Sequence, residues 1–412
     1  MPEVRGLTFC IWVASVCALA ACDRDVASSA SGLEIRMLDV PAASGSGQPF
    51  LASSPGGRVV LSWLEPAGDG IGLRYAMLED GAWSAAHTIA EGDDLLVNWA
   101  DVPSVVPITA DVWVAHWLKL VPESFGAYDV VAATSQDAGA TWSTPVLLND
   151  DGTETEHGFA TLFPFGDAIG VVWLDGRQLA EWSFDRPDEL LGTSLRYARL
   201  AFDGRVIERG EIDPLVCDCC QTDVAIASAG PIVVYRDRTE DEIRDVVVRR
   251  HDGDGWLPEV ALGEEHWLIE GCPVNGPAVA AQGDDVAAAW FTAADDRPRV
   301  RFARSADGGA SFATPLEIDA EGAFGQVAIA LLDDGTAVVS WWRRASGGRT
   351  ALAARTVARD GTLGPIQTIV ESGTAQPLDV PEIARAGDEL VFTWTGLEDG
   401  GRVMSAVVGN LR

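Results

Sequence analysis

The chain has 412 residues, 47% of them hydrophobic, and a formal net charge of -33 from 62 acidic and 29 basic residues. This excess of negative charge argues against nucleic acid or anionic lipid as a partner, because phosphate binding requires a basic surface. The acidic residues are spread through the chain, so we expect a well-solvated surface rather than an acidic binding tail. The length leaves either two domains or one large fold built from repeats.

The first residues have the features of a secretion signal. Arg5 precedes an apolar run over 7–21 that is too short to span a bilayer as a helix. The run ends in Leu-Ala-Ala-Cys22, which resembles the bacterial lipobox. The resemblance implies a signal peptide over 1–21, lipidation of Cys22 and a tether over 22–32. We therefore expect a protein of the bacterial cell envelope, anchored in the lipid bilayer by its acyl chains and facing the periplasm or the cell surface.

From about residue 45 the chain repeats a unit of four short predicted strands. The second strand of each unit is apolar on both faces, as expected for a sheet packed between two neighbours. Each of these strands ends in an aromatic residue, at intervals of 51 to 62 positions: Trp63, Trp117, Trp173, Tyr235, Trp290, Trp341 and Trp394. This period predicts a β-propeller.

Seven units are visible, although the seventh has only three clear strands. The segment 33–40 has the pattern of an outer strand without a blade of its own. Its pairing with the seventh unit would close the ring and remove its exposed edges. We therefore predict an all-β, monomeric propeller of seven four-stranded blades over 33–412, closed by an N-terminal strand, with six blades as the alternative.

Two turns share the pattern Ser-x-Asp-x-Gly-x-x-aromatic, in which Gly permits positive φ and the Asp carboxylate accepts backbone N–H groups. Its residues are Ser135, Asp137, Gly139 and Trp142, then Ser305, Asp307, Gly309 and Phe312. The pattern resembles the Asp-box, or bacterial neuraminidase repeat, of sialidase-like propellers. In that superfamily the motif is structural, so the resemblance implies a scaffold and not an activity.

The resemblance also implies what a sialidase would need: three arginines for the sialate carboxylate, an Asp acid/base and a Tyr nucleophile. None of the four tyrosines lies in the last two units, where that nucleophile is expected. Whether the chain is an enzyme stays open. If it is one, a glycoside hydrolase of the sialidase type is the expected class, with Asp175 and Asp237 as acid and base and Tyr235 as the remaining catalytic candidate.

Four cysteines follow Cys22, three in one short segment and one at the corresponding place in the next repeat: Cys217, Cys219, Cys220 and Cys272. Three interpretations remain open. The first is two disulfides, one linking Cys272 to the triplet and the other a vicinal Cys219–Cys220 bridge. The second is a copper or zinc site with a nitrogen ligand from His157 or His266. The third is a redox-active thiol pair.

Polar residues gather near the same predicted loops, at the start of innermost strands or the end of second strands. They are Arg177, Arg236, Arg238, Asn275 and Arg343. Clustered guanidinium groups suit a carboxylate, a sulfate or an acidic sugar, because they bind such groups bidentately. The alternative is that these arginines form ion pairs with nearby aspartates.

These observations predict a lipid-anchored, extracytoplasmic propeller that binds an anionic glycan or a soft metal without sialidase-type catalysis. Two alternatives remain: a glycoside hydrolase, and a scaffold protein whose disulfides are purely structural.

Overall fold

The computed structural model describes residues 27–28, 33–54, 56–124, 126–182, 191–373, 379–397 and 400–411. The predicted signal peptide, Cys22 and most of the predicted tether lie outside these ranges. Within them the chain forms seven antiparallel sheets. In each sheet, four strands follow one another from the centre of the ring outward. The predicted seven-bladed propeller is therefore confirmed.

The strands of the first four blades follow one another along the chain, innermost first. Blade 1 is Gly47–Ser53, Val59–Ala67 and Gly70–Glu79, with both Ala82–Trp83 and His87–Gly92 paired to the third strand. Blade 2 is Ser104–Pro107, Trp113–Leu120, Tyr128–Ser135 and Val146–Leu147; blade 3 is His157–Phe165, Ala168–Asp175, Thr193–Leu200 and Val206–Val216. Blade 4 is Asp223–Ala227, Gly230–Arg236, Val246–Arg250 and Val260–Ala261.

The last three blades continue the same order. Blade 5 is Ala278–Gln282, Asp285–Thr292, Arg299–Ser305 and Leu316–Asp319; blade 6 is Ala323–Leu331, Ala337–Arg344, Thr350–Val357 and Gln367–Ser372. Blade 7 is Glu382–Ala386, Glu389–Gly396, Arg402–Gly409 and Glu34–Leu38, with Ala27–Ser28 paired outside the last of these. Short 3-10 turns span Arg177–Glu181, Ala294–Asp296 and Ser346–Gly348. Within the described ranges, no helix has the length and apolar character needed to cross a bilayer.

The blades surround one axis. Each innermost strand packs against the innermost strand of the next blade, and that of blade 7 packs against that of blade 1. In blade 7 the segment Glu34–Leu38 runs antiparallel to Arg402–Gly409, so strands from both ends of the described chain share one sheet. Arg402 donates to the Val40 carbonyl oxygen at 2.8 Å, and the Val403 amide donates to Ser46 Oγ at 3.0 Å.

The tryptophans of the repeat fill the space between blades. Trp63, Trp173, Trp290 and Trp341 are each fully buried, and each belongs to a different apolar cluster. Burial of such large rings contributes more per residue than any other side chain in these clusters. The repeated aromatic position therefore marks the contact that holds each blade to its neighbour.

The two Ser-x-Asp-x-Gly turns have the same hydrogen bonds. In the first, Ser135 donates to Asp137 Oδ1 at 2.7 Å, and the Thr141 amide donates to the same oxygen at 2.8 Å. In the second turn, Ser305 donates to Asp307 Oδ1 at 2.7 Å, and the Ser311 amide donates to the same oxygen at 2.9 Å. Both carboxylates accept hydrogen bonds within their own turns, which agrees with a structural role.

Candidate functional site

The ring of innermost strands encloses a cavity of about 220 Å3 on the propeller axis. We call it the axial cavity. Residues of blades 1, 3, 4, 5, 6 and 7, and the segment that leads into blade 2, all line it. Its wall combines apolar groups such as Pro277 and Ile329 with three carboxylic acids, which are Asp101, Asp223 and Glu382. A wall supplied by strands of six blades can be rigid, since each strand is held by its own sheet.

All three acids have raised pKa values because the protein withdraws them from water. Burial raises the pKa of Asp101 to about 7, and the nearby charge of Glu156 adds to the shift. Burial likewise raises the pKa of Asp223 to about 6, although the amides of Val224 and Val279 donate to its oxygens at 2.8 Å. The cavity therefore carries carboxyl groups that are partly protonated near neutral pH.

Glu382 lies near a further buried acid, Asp379, in the segment that leads into blade 7. Burial raises the pKa of Asp379 to about 7, and this carboxylate accepts the Thr395 amide. Burial also raises the pKa of Glu382, and the charges of Asp223 and Asp379 reinforce that effect. Because burial disfavours the charged form of both acids, and nearby carboxylates add to this for Glu382, these groups hold protons that exposed acids would release.

Sequence analysis missed these acids. A signal for them exists, because Asp101 and Asp379 both begin the tripeptide Asp-Val-Pro directly before an innermost strand. This signal did not predict a site, because single acidic residues in loops are ordinary in a chain of this charge. Only the folded ring shows that Asp101 lines the axial cavity and that Asp379 directly precedes Val380, which lines it as well.

The cysteine segment directly precedes Gln221 and Thr222, which line the axial cavity. Cys219 and Cys272 are joined in a disulfide, with their Cα atoms 6.0 Å apart, which ties the loop before blade 4 to the loop before blade 5. The predicted link between Cys272 and the triplet is therefore present. The predicted vicinal Cys219–Cys220 bridge is wrong, because Cys219 is bonded to Cys272.

The two remaining thiols face each other. Cys217 and Cys220 are free and buried, and their Sγ atoms are 3.3 Å apart. The hydrogen bond between them, together with the charges of Arg236 and Arg244, lowers the pKa of Cys217, although burial opposes this. Burial and the same partner raise the pKa of Cys220. The pair therefore consists of one sulfur prone to be a thiolate and one that keeps its proton.

The thiol pair is a poor zinc site. Structural zinc takes four ligands with Zn–S bonds of about 2.3 Å, so two of its sulfurs lie roughly 3.8 Å apart. With Cys219 in a disulfide, only two thiols remain. His157 does not complete the set, since its ring contacts carboxylates instead of sulfur. The backbone amide of His266 donates to Asp245 Oδ2 at 2.8 Å.

A different group has the spacing of metal ligands. One ligand atom each of Asp151, His157 and Asp175 lies within 4.8 Å of the other two. His157 Nε2 is 3.2 Å from Asp151 Oδ1 and 3.8 Å from Asp175 Oδ1, and all three residues are largely removed from solvent. Arg177 already neutralises this group, with its Nε 2.6 Å from Asp175 Oδ1. The arrangement therefore works as a charge-compensated cluster of the protein itself.

The residues predicted to bind an anionic ligand are engaged within the protein. Arg236 is 2% exposed and donates to the carbonyl oxygens of Arg244, Asn275 and Phe291. The Asn275 side chain accepts the Gln326 amide at 2.7 Å. Arg236 therefore connects blade 4 to blade 5 and to the loop between them.

The other predicted arginines form ion pairs. Arg238 binds Glu242 at 2.6 Å, and Arg343 binds Asp319 at 2.9 Å. Arg177 binds Asp175, as described above. None of the residues that line the axial cavity in the described part of the chain is an arginine. The structure thus matches the alternative in which these arginines pair with neighbouring acids.

The three catalytic candidates also lie away from the axial cavity. Asp175 is fully buried and accepts Trp173 Nε1 at 2.8 Å as well as Arg177. Tyr235 is 1% exposed, and its hydroxyl donates to Asp213 at 2.7 Å within the packing of blades 3 and 4. Burial raises the pKa of Asp237 to about 7. None of the three lines the cavity.

No family model and no curated protein matches the chain. Among solved structures, a protein of unknown function from Dyadobacter fermentans aligns with a TM-score of 0.50 and 13% identity, over 92% of this chain and 99% of that one. The phage phi92 endosialidase aligns with a TM-score of 0.49 and 9% identity, over 92% of this chain and 69% of that one. The Hadza microbial sialidase Hz136 aligns with a TM-score of 0.42 and 14% identity, over 72% of this chain and 63% of that one. At these identities the likeness to the Dyadobacter fermentans protein concerns the fold alone.

Proposed function

We propose that this chain is a lipid-anchored binding protein of the bacterial cell envelope, and that its axial cavity holds the end of a carbohydrate without cleaving it. The observation that carries the proposal is the axial cavity, where carboxyl groups of several blades face apolar wall groups. Sugars present hydroxyl groups and apolar C–H faces together, and such a wall can bind both. The lipid anchor rests on the Leu-Ala-Ala-Cys22 segment of the sequence.

The chemistry of the wall favours a neutral or basic sugar over an acidic one. No arginine lines the cavity in the described residues, whereas three carboxylic acids do. An anionic ligand would lack a bidentate partner, and it would meet repulsion from Asp223, whose pKa of about 6 leaves it largely ionised at neutral pH. The volume of about 220 Å3 is below the roughly 300–1,000 Å3 usual for drug-sized ligands, so one terminal residue is the expected occupant.

Sialidase-type turnover is not supported by this arrangement. Tyr235, the only tyrosine among the catalytic candidates, is buried between blades 3 and 4 with its hydroxyl bound to Asp213. A nucleophile must approach the reacting carbon to about 3–3.5 Å, which this position does not allow for a ligand on the axis. We therefore expect binding without a glycosyl–enzyme intermediate.

Calorimetric titration of the detergent-purified chain with methyl glycosides of neutral hexoses, of an amino sugar and of sialic acid tests the proposal. We expect saturable binding of a neutral or basic glycoside that weakens at least about tenfold in Glu382→Ala, since a buried polar group that loses its hydrogen-bond partner costs roughly 1–3 kcal/mol. Glu389→Ala is the matched control, because that carboxylate is 52% exposed on the same blade. Equal affinity in both variants, or a preference for the sialoside, would overturn the proposal.

Turnover is measured in parallel with a fluorogenic sialoside. The expected rate is that of buffer alone. Release of the fluorophore that is lost in Tyr235→Phe would instead establish the glycoside hydrolase alternative.

A further inference from the structure

The four cysteines stand in two different redox states side by side. Cys219 and Cys272 form a disulfide, whereas Cys217 and Cys220 are thiols. The Sγ atoms of Cys217, Cys219 and Cys220 all lie within 4.8 Å of one another. Exchange proceeds by attack of a thiolate on a disulfide sulfur, and this proximity places Cys217 Sγ within reach of Cys219 Sγ.

The two pairs differ in their access to solvent. Cys272 is in an exposed position and Cys219 is half-buried. Cys217 and Cys220 are 1% and 2% exposed. A molecule outside the protein can therefore reach the Cys219–Cys272 pair directly, but it can reach the inner pair only through that disulfide or by opening the fold.

The surroundings of Cys217 favour its thiolate form. Arg244 Nη1 donates to Cys217 Sγ at 3.4 Å. The guanidinium of Arg236 is buried, and its hydrogen bonds go to carbonyl oxygens, so its charge is not neutralised by a carboxylate through them. Both charges lower the pKa of Cys217, as does the hydrogen bond from Cys220. A stabilised thiolate is the attacking species in disulfide exchange.

We propose that the four cysteines form a thiol–disulfide relay, in which the buried Cys217–Cys220 dithiol reduces the exposed Cys219–Cys272 disulfide, and the resulting surface dithiol reduces a disulfide of a partner molecule. This activity does not depend on carbohydrate binding. The relay adds to the scaffold a reaction that the axial cavity does not perform.

The internal step balances without an added reagent. The Cys217 thiolate attacks Cys219 Sγ, the Cys219–Cys272 bond breaks, and Cys272 leaves as a thiolate. Cys220 passes its proton to Cys272 and attacks Cys217 Sγ, which closes the Cys217–Cys220 bridge. Cys219 leaves as a thiolate and takes the proton that Cys217 had released. The inner pair has lost two electrons, and the outer pair has gained them.

The first experiment asks whether the outer pair is the route to the inner pair. The full-length chain, purified in detergent and fully reduced, is oxidised with glutathione disulfide, and the Cys217–Cys220 bridge is followed by acid quenching, alkylation and peptide mass mapping. We expect the bridge to form at least about tenfold more slowly in Cys219→Ser/Cys272→Ser than in the unchanged chain, because exchange rates depend on access. An equal or faster rate in the double variant would overturn the relay.

The second experiment uses two variants that differ only in which buried sulfur is missing. Cys220→Ser keeps the attacking sulfur and removes the resolving one, so a Cys217–Cys219 bridge with alkylated Cys272 should accumulate. Cys217→Ser removes the attacking sulfur, so Cys272 should stay linked to Cys219. We expect at least about tenfold more alkylated Cys272 in the first variant. The same labelling in both, with near-ultraviolet circular dichroism showing both folded, would contradict the relay.

Discussion

The guanidinium of Arg236 donates two hydrogen bonds to the carbonyl oxygen of Asn275, at 3.2 and 2.8 Å, and lies 4.9 Å from the centroid of the Trp267 ring. A buried cation thus connects blade 4 to the loop that enters blade 5. The sequence suggests a ligand-binding arginine at this position, but the guanidinium holds two neighbouring blades together.

This relationship gives a first prediction. Arg236→Gln should lower the free energy of unfolding by about 3 kcal/mol, because it leaves buried carbonyl oxygens without a donor. The measurement is urea denaturation followed by tryptophan fluorescence. Arg349→Gln is the control, since the Arg349–Glu371 pair is about half exposed and should be worth at most about 1 kcal/mol. Equal losses in the two variants would show that Arg236 contributes only as a surface charge.

A second prediction concerns the pH dependence of stability at Asp101. Its folded pKa of about 7 lies above its ordinary value of 3.8, so the folded state holds the proton more tightly. The stability that this proton contributes is full below pH 3.8 and is lost as the pH rises to about 7. Asp101→Asn should therefore be more stable than the unchanged chain at pH 8, by about 4 kcal/mol at most, and should lose this advantage near pH 4.

Thermal unfolding at pH 4, 6 and 8 measures this difference. A constant offset between the two proteins across that range would mean that Asp101 does not titrate on unfolding. Asp69→Asn, at an exposed turn, serves as the control because it makes the same change of net charge outside the core.

A third prediction follows from a close approach in the same region. A Cβ atom at residue 158 would lie 1.9 Å from Asp101 Oδ2 and 2.9 Å from the Tyr128 ring. Gly158→Ala should therefore destabilise the protein by roughly 1–3 kcal/mol, as overpacking does in dense cores. Gly271→Ala, where a Cβ would meet nothing within 4 Å, should change the stability by less than about 0.5 kcal/mol.

The coupling between the two residues can be separated from general strain. In a double-mutant cycle, Asp101→Ala should remove part of the cost of Gly158→Ala, since it removes the nearest atom. Strict additivity of the two changes would argue against the contact as the cause.

A fourth prediction concerns the turn that holds Asp307. Hydrogen bonds from Ser311 and Ser305 lower the pKa of Asp307 to about 2. A lowered folded pKa contributes stability that is present above 3.8 and is lost as the pH falls through about 2. Asp307→Asn should therefore be less stable than the unchanged chain at pH 7, by a small amount because the group is exposed, and the difference should shrink toward pH 2. Chemical denaturation at both pH values would show whether it does.

The scaffold was predictable from the sequence because its determinants are local and repeated. The aromatic end of each second strand recurs with a regular period, and a ring of equal sheets follows from that period. The link between the triplet and Cys272 followed from the same reasoning, since equivalent positions in adjacent blades meet near the axis. The partner within the triplet was not predictable, because all three sulfurs are within four residues of one another.

The contents of the site were less predictable. Asp101 and Glu382 come together only when the ring closes, and their raised pKa values depend on burial that no local pattern records. Arg236 and Arg343 could equally have faced a ligand, since an arginine near an aspartate in sequence does not show which group its side chain selects. The clustered charges therefore predicted a site on one face of the propeller, but they did not predict which side chains line the axial cavity.

The sharing of blade 7 between Glu34–Leu38 and Arg402–Gly409 has a mechanical consequence. Tension applied at the N-terminal side would act first on the outermost strand of that sheet, and the backbone hydrogen bonds of this pairing would carry the load. Once that strand peels away, the neighbouring C-terminal strand loses its outer partner. Resistance of the ring to pulling, and to proteases that cleave frayed edges, is therefore concentrated in the pairing of Glu34–Leu38 with Arg402–Gly409.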